Sequence, residues 1–261
     1  MLQQTQAARV QPAYRAFLRR FPRVTDLAQA TLADVLTAWR GLGYNRRARN
    51  LHRAASTIAE EHGGAVPGDL RALRALPGVG DYTARAVLTF GFGRAEGPVD
   101  TNVARVLARA IAGEPLSRRA VQHLADRLVA ASADDPATWN HALMDLGARV
   151  CTARVPHCGI CPVAAACRWR AAGGPRGGDD PAAASAVRPR PQGTFAGSDR
   201  YHRGRLIDSL RRSPLDPDAV PGAARLPAGE RLSGLLAGLE QEGLVEWRAG
   251  SLRLPGTRTA S

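Results

Sequence analysis

The chain contains no lysine, although 36 of its 261 residues are basic. Every one of these basic residues is therefore an arginine. A lysine amine is the side chain that forms a Schiff base with a carbonyl group, and an arginine does not replace it in that reaction. The sequence thus excludes covalent catalysis through a lysine.

Long apolar runs and a targeting signal are missing as well. No stretch of about eighteen apolar residues occurs, so no segment has the composition of a membrane span. The first six residues, Met1 to Gln6, lack the basic and apolar regions of a secretory signal. We therefore expect a cytoplasmic protein without a membrane partner.

Cysteine is absent outside one short segment. Its four cysteines, with the spacing C-x6-C-x2-C-x5-C, are Cys151, Cys158, Cys161 and Cys167. Four thiols at short, unequal intervals favour a single iron-sulfur cluster as the metal centre. A zinc site is the alternative, although zinc more often binds two compact pairs separated by a long spacer. Two disulfides are disfavoured because nothing marks the chain as secreted.

Acidic residues are few compared with basic ones. The chain has 23 of them, so its formal net charge is +13 at pH 7. Such an excess predicts a polyanionic partner, because cations that neutralise phosphates release bound counterions. A basic surface that only keeps the protein soluble is the alternative.

The spacing of apolar residues predicts an all-α fold. Apolar residues recur every three or four positions through most of residues 1–150, whereas alternating patterns are scarce. The predicted helices cover residues 9–21, 32–39, 45–62, 69–76, 81–92, 101–112, 117–132 and 136–150. Thr31 and Asp34 form a capping-box-like start to the second of these.

The chain changes character after residue 170. Residues 171–197 are rich in glycine, proline and alanine without periodicity, which predicts a flexible linker. Helices are then predicted at 203–210 and 230–242, followed by a hairpin at 243–254. This order predicts a winged-helix-like domain over residues 198–256. Such domains bind DNA or protein, and the sequence leaves both open.

A glycine-rich turn lies between two of the predicted helices. In Pro77-Gly78-Val79-Gly80 the glycines let the backbone turn sharply, so that amides at a helix N-terminus point at one anion such as a phosphate. A glycine-capped turn without a ligand is the alternative. Asp100, about twenty residues later, precedes another predicted helix, where aspartate is an ordinary N-cap.

These motifs together resemble a known family. Leu76 to Gly80, Val99-Asp100 and the cysteine spacing resemble, in order and distance, the signatures of the endonuclease III and MutY branch of the helix-hairpin-helix DNA glycosylases. The resemblance covers about residues 1–170. It implies a six-helix domain at 1–97, a 4Fe-4S cluster domain at 98–170, and a monomer that acts on mismatched or damaged double-stranded DNA in the nucleoid.

The resemblance also implies removal of a base without strand cleavage. Asp100 matches the aspartate that faces the deoxyribose and would stabilise the positive charge on the sugar as the glycosidic bond breaks. Asn102 matches a nearby polar residue that would orient water or Asp100. Tyr82 stands where strand-cleaving members carry a lysine. Contacts to the DNA backbone are implied for Pro77, Gly78, Val79 and Gly80.

Four residues among the first fifty are also expected to contact DNA, three of them from the resemblance and Arg47 from the net charge. Gln3 and Gln4 resemble a segment whose glutamine fills the space left by the flipped base. Tyr44 resembles an aromatic residue that wedges beside the base opposite the lesion, and a buried core tyrosine is the alternative. Arg47 is expected to contact phosphate, with a solvated helix face as the alternative.

The resemblance implies adenine removal opposite guanine or 8-oxoguanine, as in the MutY-type adenine glycosylases. Their general acid is a glutamate two positions before the residue that matches Met1, so we expect this chain to lack its N-terminal segment. Without that acid, a rate loss of about 10²- to 10⁴-fold is expected. A thymine or uracil mismatch glycosylase also fits Tyr82. A non-catalytic DNA-binding protein fits if Met1 is the true start.

Overall fold

The structure is a computed structural model that describes residues 1–3, 5–177, 179–185 and 193–257, and helices dominate these residues. This confirms the all-α prediction. The helices are α1 (Ala7–Arg20), α2 (Val24–Gln29), α3 (Leu32–Ala38), α4 (Arg46–Glu61), α5 (Leu70–Ala75), α6 (Asp81–Phe92), α7 (Thr101–Val106), α8 (Arg118–Ala131), α9 (Pro136–Asp145), α10 (Arg168–Ala171), α11 (Pro181–Ala184), α12 (Asp199–Leu210), α13 (Val220–Ala224) and α14 (Glu230–Gln241). Strands β1 (Glu246–Arg248) and β2 (Ser251–Arg253) form an antiparallel hairpin. Within the described ranges, no helix has the length and apolar character needed to cross a membrane.

Two predicted helices change their winding before they end. Helix α7 continues as a π-helical turn over Leu107–Ala112, and α9 continues as one over Leu146–Val150. Each ends on a hydrogen bond to the fifth residue back, from Gly113 N to Ala108 O (2.8 Å) and from Cys151 N to Leu146 O (2.7 Å). Periodicity cannot reveal such turns, because they insert a single extra residue into the helix. They are frequent at functional sites.

Helix starts follow the predicted capping chemistry in part. The Thr31 hydroxyl accepts a hydrogen bond from Asp34 N at 3.1 Å, which confirms the predicted start of α3. Helix α2 was not predicted, because six residues are too few to show helical periodicity. Its first turn is closed by Asp26, whose carboxylate accepts hydrogen bonds from the backbone and side chain of Arg23.

One compact unit contains the described residues of 1–67, 76–78 and 193–257. Buried residues from both ends of the chain form its core, among them Phe17, Val35, Leu36, Trp39, Leu206, Ile207, Leu239, Leu252 and Leu254. Arg211, whose side chain is 3% exposed, donates from Nε to Leu36 O (2.9 Å) and from Nη2 to Asn45 Oδ1 (2.9 Å). The C-terminal helices are thus joined to the first helices by apolar packing and by a buried arginine.

We expected residues 198–256 to form a domain apart from residues 1–97, and the structure differs. A segment of about sixty residues has only a marginal apolar core by itself, and here its apolar residues share a core with residues of α1 to α4. Its elements are α12, an isolated bridge between Leu215 and Leu252, α13, α14 and the hairpin. This order is typical of a winged helix, and that assignment stays a prediction.

The second compact unit contains the described residues of 68–75 and 79–185. Its main apolar cluster consists of Val103, Ala104, Leu107, Val121 and Ala125. The expected flexible linker also differs from the structure in its first half. Residues 171–177 and 179–185 contain short helical segments, and Asp180 caps α11 and binds Arg109. Of the remaining expected linker, residues 186–192 lie outside the described residues.

Candidate active site

The turn between α5 and α6 requires glycine at one of its two glycine positions. Gly78 has φ = +77°, in the left-handed region that favours glycine. A Cβ on Gly78 would also lie 2.7 Å from the Cβ of Asn50. Gly80 has φ = −87° and open space at its Cβ position. The conformational argument for glycine therefore holds at Gly78 and not at Gly80.

Helix α6 begins directly after this turn. Gly80 is its N-cap and has no side chain with which to bind the first amides of the helix. The first N–H groups of a helix have no acceptor inside the helix. Pro77 and Val79 complete the turn, and Leu76 anchors it because only 4% of its surface is exposed. The predicted phosphate contact at these residues stays a prediction.

Asp100 is the N-cap of α7, as the sequence predicted. Its Oδ1 accepts hydrogen bonds from the backbone N of Asn102 (2.8 Å) and of Val103 (2.7 Å). Its Oδ2 accepts a third bond from Nδ2 of Asn102 (3.0 Å). Both oxygens of the half-buried carboxylate are therefore held in place.

Arg105 fixes the other end of the Asn102 side chain. Its Nη2 donates to Oδ1 of Asn102 (2.8 Å), so the amide must present Nδ2 to Asp100. The same guanidinium donates to the backbone oxygens of Gly147 (2.7 Å) and Cys151 (2.8 Å). A continuous set of hydrogen bonds thus joins the carboxylate of Asp100 to the first cysteine.

Gly147 permits the close approach on which these bonds depend. It is buried in the π-helical turn after α9. A Cβ at this position would lie 2.8 Å from the Cβ of Asn102 and 3.0 Å from its backbone O. Real Cβ atoms do not come this close to other heavy atoms, so a larger residue must displace Asn102 or the turn.

Tyr82 lies in the first turn of α6 and is 40% exposed. Burial of its hydroxyl raises the pKa of Tyr82, and the negative charge of Asp100 raises this pKa further. The phenol is therefore neutral at neutral pH and lies within electrostatic reach of the carboxylate. It is not a buried core tyrosine.

The segment that precedes Asp100 is held by buried polar groups. Backbone O of Glu96 accepts hydrogen bonds from Thr89 Oγ1 (2.8 Å) and Asn140 Nδ2 (3.1 Å). Arg85, whose side chain is 12% exposed, pairs with Glu96 and with Asp126 (2.7 Å). These bonds fix the direction in which the chain enters α7.

The predicted DNA contacts of the first fifty residues lie in the other compact unit. Arg47 donates to the backbone O of Gln3, to Thr5 Oγ1 (2.8 Å) and to Leu42 O (3.0 Å). Its guanidinium also lies over the ring of Tyr44, 5.4 Å from the centroid. Arg47 therefore ties the N-terminal segment to the loop that carries Tyr44. These contacts favour a positioning role over a phosphate contact. Gln4 lies outside the described residues.

Tyr44 is 38% exposed, so it is not a core residue. Its backbone has φ = +46°, which is rare for an aromatic residue. Its hydroxyl accepts a hydrogen bond from Nη1 of Arg200 in helix α12 (3.1 Å).

The four cysteines line one cavity at the ends of both π-helical turns, together with Val106, Arg109, Leu146 and Trp169 among others. Arg109 is 2% exposed, and its Nη1 lies 3.6 Å from Sγ of Cys151. The same Nη1 donates to Thr152 O (2.7 Å), and Nη2 donates to Ala153 O (3.2 Å). Burial raises the pKa of the Cys151 thiol, and Arg109 opposes this rise.

Asp180 completes the surroundings of Arg109. Its two carboxylate oxygens accept hydrogen bonds from Nε (2.9 Å) and Nη2 (2.7 Å) of Arg109, which is the bidentate geometry of a strong ion pair. These hydrogen bonds hold the pKa of Asp180 below its usual value. The guanidinium also lies over the ring of Trp169, 4.6 Å from the centroid.

The cavity provides the ligands that an iron-sulfur cluster requires, since all four thiols line it and thiolates are the usual ligands of such clusters. Among the described residues, however, no group of three or more histidine, cysteine or acidic side chains is arranged to hold a metal ion. The cluster therefore stays a prediction that agrees with the donor set.

The comparison with protein families decides the relationship. The family described as HhH-GPD superfamily base excision DNA repair protein matches residues 1–131. The chain belongs to the HhH-GPD superfamily. The match contains the turn at Gly78 and the cap at Asp100, and it confirms the resemblance read from the sequence.

The chain is similar to curated proteins that are named adenine DNA glycosylase. An adenine DNA glycosylase of Mycolicibacterium smegmatis is 47% identical over 216 residues, which cover 82% of this chain and 70% of the relative. An adenine DNA glycosylase of Homo sapiens is 46% identical over 176 residues, or 65% of this chain and 32% of the relative.

Solved structures of HhH-GPD relatives have the same fold. A thermostable thymine-DNA glycosylase is 30% identical with a TM-score of 0.61, and the alignment covers 66% of this chain and 80% of that one. A non-covalent complex of endonuclease III with DNA is 26% identical with a TM-score of 0.54, and covers 65% and 79%. The predicted glycosylase fold is therefore confirmed.

Within this HhH-GPD chain, Tyr82, Asp100, Asn102 and the cysteines belong to one compact unit, and Gln3, Tyr44 and Arg47 to the other. Sequence reasoning missed Arg105 and Gly147. An arginine and a glycine inside predicted helices carry no local signal of a special role. Only the contact of α7 with the turn after α9 reveals one.

Proposed function

We propose that this protein is an adenine DNA glycosylase that removes adenine mispaired with guanine or 8-oxoguanine in double-stranded DNA. The observation that carries the proposal is the identity of 46–47% to relatives named adenine DNA glycosylase. Binding to DNA is supported by the structural similarity to endonuclease III in complex with DNA. The protein would act as a monomer in the cytoplasm, on the nucleoid.

The proposed chemistry rests on the carboxylate of Asp100. As the bond between adenine and deoxyribose breaks, positive charge develops on the sugar, and a fixed carboxylate lowers the energy of that state. The three hydrogen bonds to Asp100 hold both oxygens, so little reorganisation is needed during the reaction. Asn102 acts as a positioning residue, and Arg105 fixes its amide.

The enzyme is proposed to be monofunctional. The chain contains no lysine, so no lysine amine captures the sugar aldehyde after base release. Tyr82 lies within electrostatic reach of Asp100, which raises its pKa, and its hydroxyl is proposed to contact the sugar or its phosphate.

The four cysteines would hold a 4Fe-4S cluster. When bound, such a cluster would order the loop between Cys151 and Cys167 around one centre. Arg109 would direct a guanidinium at one sulfur, and Arg105 connects the backbone of Cys151 to Asn102. Arg105 would thereby connect the cysteine loop with the Asp100 site.

Excision assays test the proposed reaction. The protein should release adenine from a guanine or 8-oxoguanine mispair and leave an intact abasic strand. Strand breaks should appear only after alkali. Strand cleavage without alkali, or no release of adenine from the mispair, would contradict the scheme.

A thymine or uracil mismatch glycosylase is the second candidate. It is favoured by the structural similarity to a thymine-DNA glycosylase at 30% identity. The same assay with guanine–thymine and guanine–uracil duplexes separates the two functions. Faster release of thymine or uracil than of adenine would assign this second function.

The hairpin prediction concerns Gly78 and its neighbour Gly80. Gly78→Ala should weaken binding to matched and mispaired duplexes alike by about ten-fold, because strain and the contact with Asn50 distort a turn expected to face phosphates. Gly80→Ala is the control and should bind within about two-fold of the wild type, since its Cβ meets open space. Fluorescence-anisotropy titrations measure both. A loss confined to mispaired duplex would contradict the backbone role.

A second glycine variant tests the support of Asn102. Gly147→Ala should lower the rate of adenine release by about 10- to 100-fold, because the added methyl group displaces Asn102 and thereby Asp100. Gly91→Ala is the control, because it is also a helical glycine and its Cβ position is open. Single-turnover assays, with thermal unfolding in parallel, check the result. Equal rates for the two variants would show that Gly147 has no such role.

A further inference from the structure

Tyr44 is held between two arginines that come from distant parts of the chain. Arg47 lies over its ring, and Nη1 of Arg200 donates to its hydroxyl at 3.1 Å. Arg47 therefore holds the face of the ring, and Arg200 holds its hydroxyl. An exposed aromatic ring with a fixed orientation is suited to stack against a base.

Arg200 itself is firmly placed. It lies in the first turn of α12, where the hydroxyl of Ser198 caps the helix. Its Nη2 donates to Gly193 O at 2.9 Å. Further along α12, Leu206 and Ile207 are completely buried in the core that joins the two ends of the chain. The hydrogen bond to Tyr44 thus starts from a rigid helix.

Contacts from Arg47 and Arg200 stabilise the loop that carries Tyr44. Gly41, Gly43 and Tyr44 all have positive φ angles, of 82°, 65° and 46°. For a tyrosine this conformation costs energy, and it persists only where surrounding contacts hold it. Arg47 binds the backbone oxygens of Leu42 and Gly43, and Arg200 adds the contact at the tip of the ring.

We propose that Arg200 is a positioning residue that fixes Tyr44 and so makes the C-terminal segment part of mispair recognition. The proposal rests on the proposed function and on the role that the family resemblance implies for Tyr44, a wedge beside the base opposite the adenine. Arg200 acts through Tyr44 and reads no base itself. Preference for a mispaired duplex then depends on a hydrogen bond between residues 156 positions apart.

A double-mutant cycle tests this coupling. Dissociation constants are measured for a guanine–adenine duplex and a matched duplex, in an Asp100→Asn background that prevents turnover. Arg200→Leu and Tyr44→Phe should each lower the ratio of mispaired to matched affinity by about three- to ten-fold. The double variant should lower it no further, because both changes remove the same hydrogen bond. Because Tyr44→Phe removes only one oxygen atom, a misfolded protein is not expected to explain its effect.

Arg212→Leu is the matched control for charge. It removes one guanidinium just after α12, where Nη2 of Arg212 contacts Ser209. It should weaken both duplexes equally, as expected for the loss of one cation near a polyanion. Arg200→Leu could instead weaken the mispaired and the matched duplex equally, whether residue 44 is tyrosine or phenylalanine. Arg200 would then be only a phosphate contact, and the proposal would be overturned.

The wild-type titration separates this inference from the proposed function. A wild-type protein without preference for the mispair would overturn both. A wild-type preference that persists in Arg200→Leu would overturn this inference alone and leave the glycosylase assignment intact.

Discussion

Asp100→Asn is expected to slow adenine release by about 10²- to 10³-fold while the mispaired duplex still binds. Asparagine is as good an N-cap as aspartate, so its amide oxygen can keep the hydrogen bonds to the amides of Asn102 and Val103. The substitution therefore removes the negative charge and the hydrogen bond from Nδ2 of Asn102, and it spares the helix start. Single-turnover measurements of base release, with all duplex bound, give the rate directly.

Asp135→Asn is the matched control for this prediction. Asp135 is the N-cap of α9 and accepts hydrogen bonds from two backbone amides, as Asp100 does. Its replacement should leave the rate within about two-fold of the wild type. A wild-type rate in Asp100→Asn would show that charge stabilisation lies elsewhere. An equal slowing in both variants would show that capping is what matters.

Asp180→Ala is expected to have the largest effect on stability. It leaves the guanidinium of Arg109, 2% exposed, without its carboxylate partner. Breaking a buried ion pair in this way costs about 3 kcal/mol of the free energy of unfolding. The low end of the usual range applies because Asp180 is 29% exposed. Urea unfolding of anaerobically purified protein measures the change, and iron and sulfide analysis shows whether the cysteine loop still holds its metal centre.

Asp179→Ala provides the control, since it removes an exposed carboxylate one position earlier. Its free energy of unfolding should lie within about 0.5 kcal/mol of the wild type. An Asp180→Ala protein as stable as this control would contradict the role of the ion pair. Zinc without iron in the wild-type protein would contradict the 4Fe-4S assignment independently.

The ion pair also predicts a pH dependence. Arg109 lowers the pKa of Asp180, so the folded state holds this carboxylate ionised more strongly than the unfolded state does. The stabilisation is therefore complete above the usual pKa of an aspartate and is lost as the pH falls through the lowered value. Asp180→Ala should remove this part of the acid sensitivity.

Much of the fold could be predicted because its causes are local. Apolar spacing predicted the helices, and the side chains of Thr31 and Asp100 marked helix starts that the structure contains. The helices predicted at 101–112 and 136–150 have the predicted bounds, but their last turns are π-helical and not α-helical. A helix cap is formed by residues at most three positions apart, so the sequence shows it. The π-helical turn over Leu146–Val150 packs against α7, which is distant in the sequence.

The candidate site divides in the same way. Asp100, Tyr82 and the cysteines are conspicuous by residue type and spacing. Arg105 and Arg109 are two of 36 arginines, and nothing in the surrounding residues distinguishes them from arginines on a solvated face. Arg47 has a contact that the sequence did not indicate, because it binds the N-terminal segment, and its expected phosphate contact stays a prediction.

The sequence by itself determined an all-α fold, membership of a DNA repair superfamily, a cysteine segment suited to a metal cluster, and the absence of lysine chemistry. These follow from composition and from patterns only a few residues long. Tertiary structure decided that the C-terminal helices share a core with the first helices, and that Arg109 meets Asp180 71 positions away. Such pairings form because an unpaired buried charge costs too much free energy to persist. The partners come from distant parts of the chain, so local sequence patterns do not predict them.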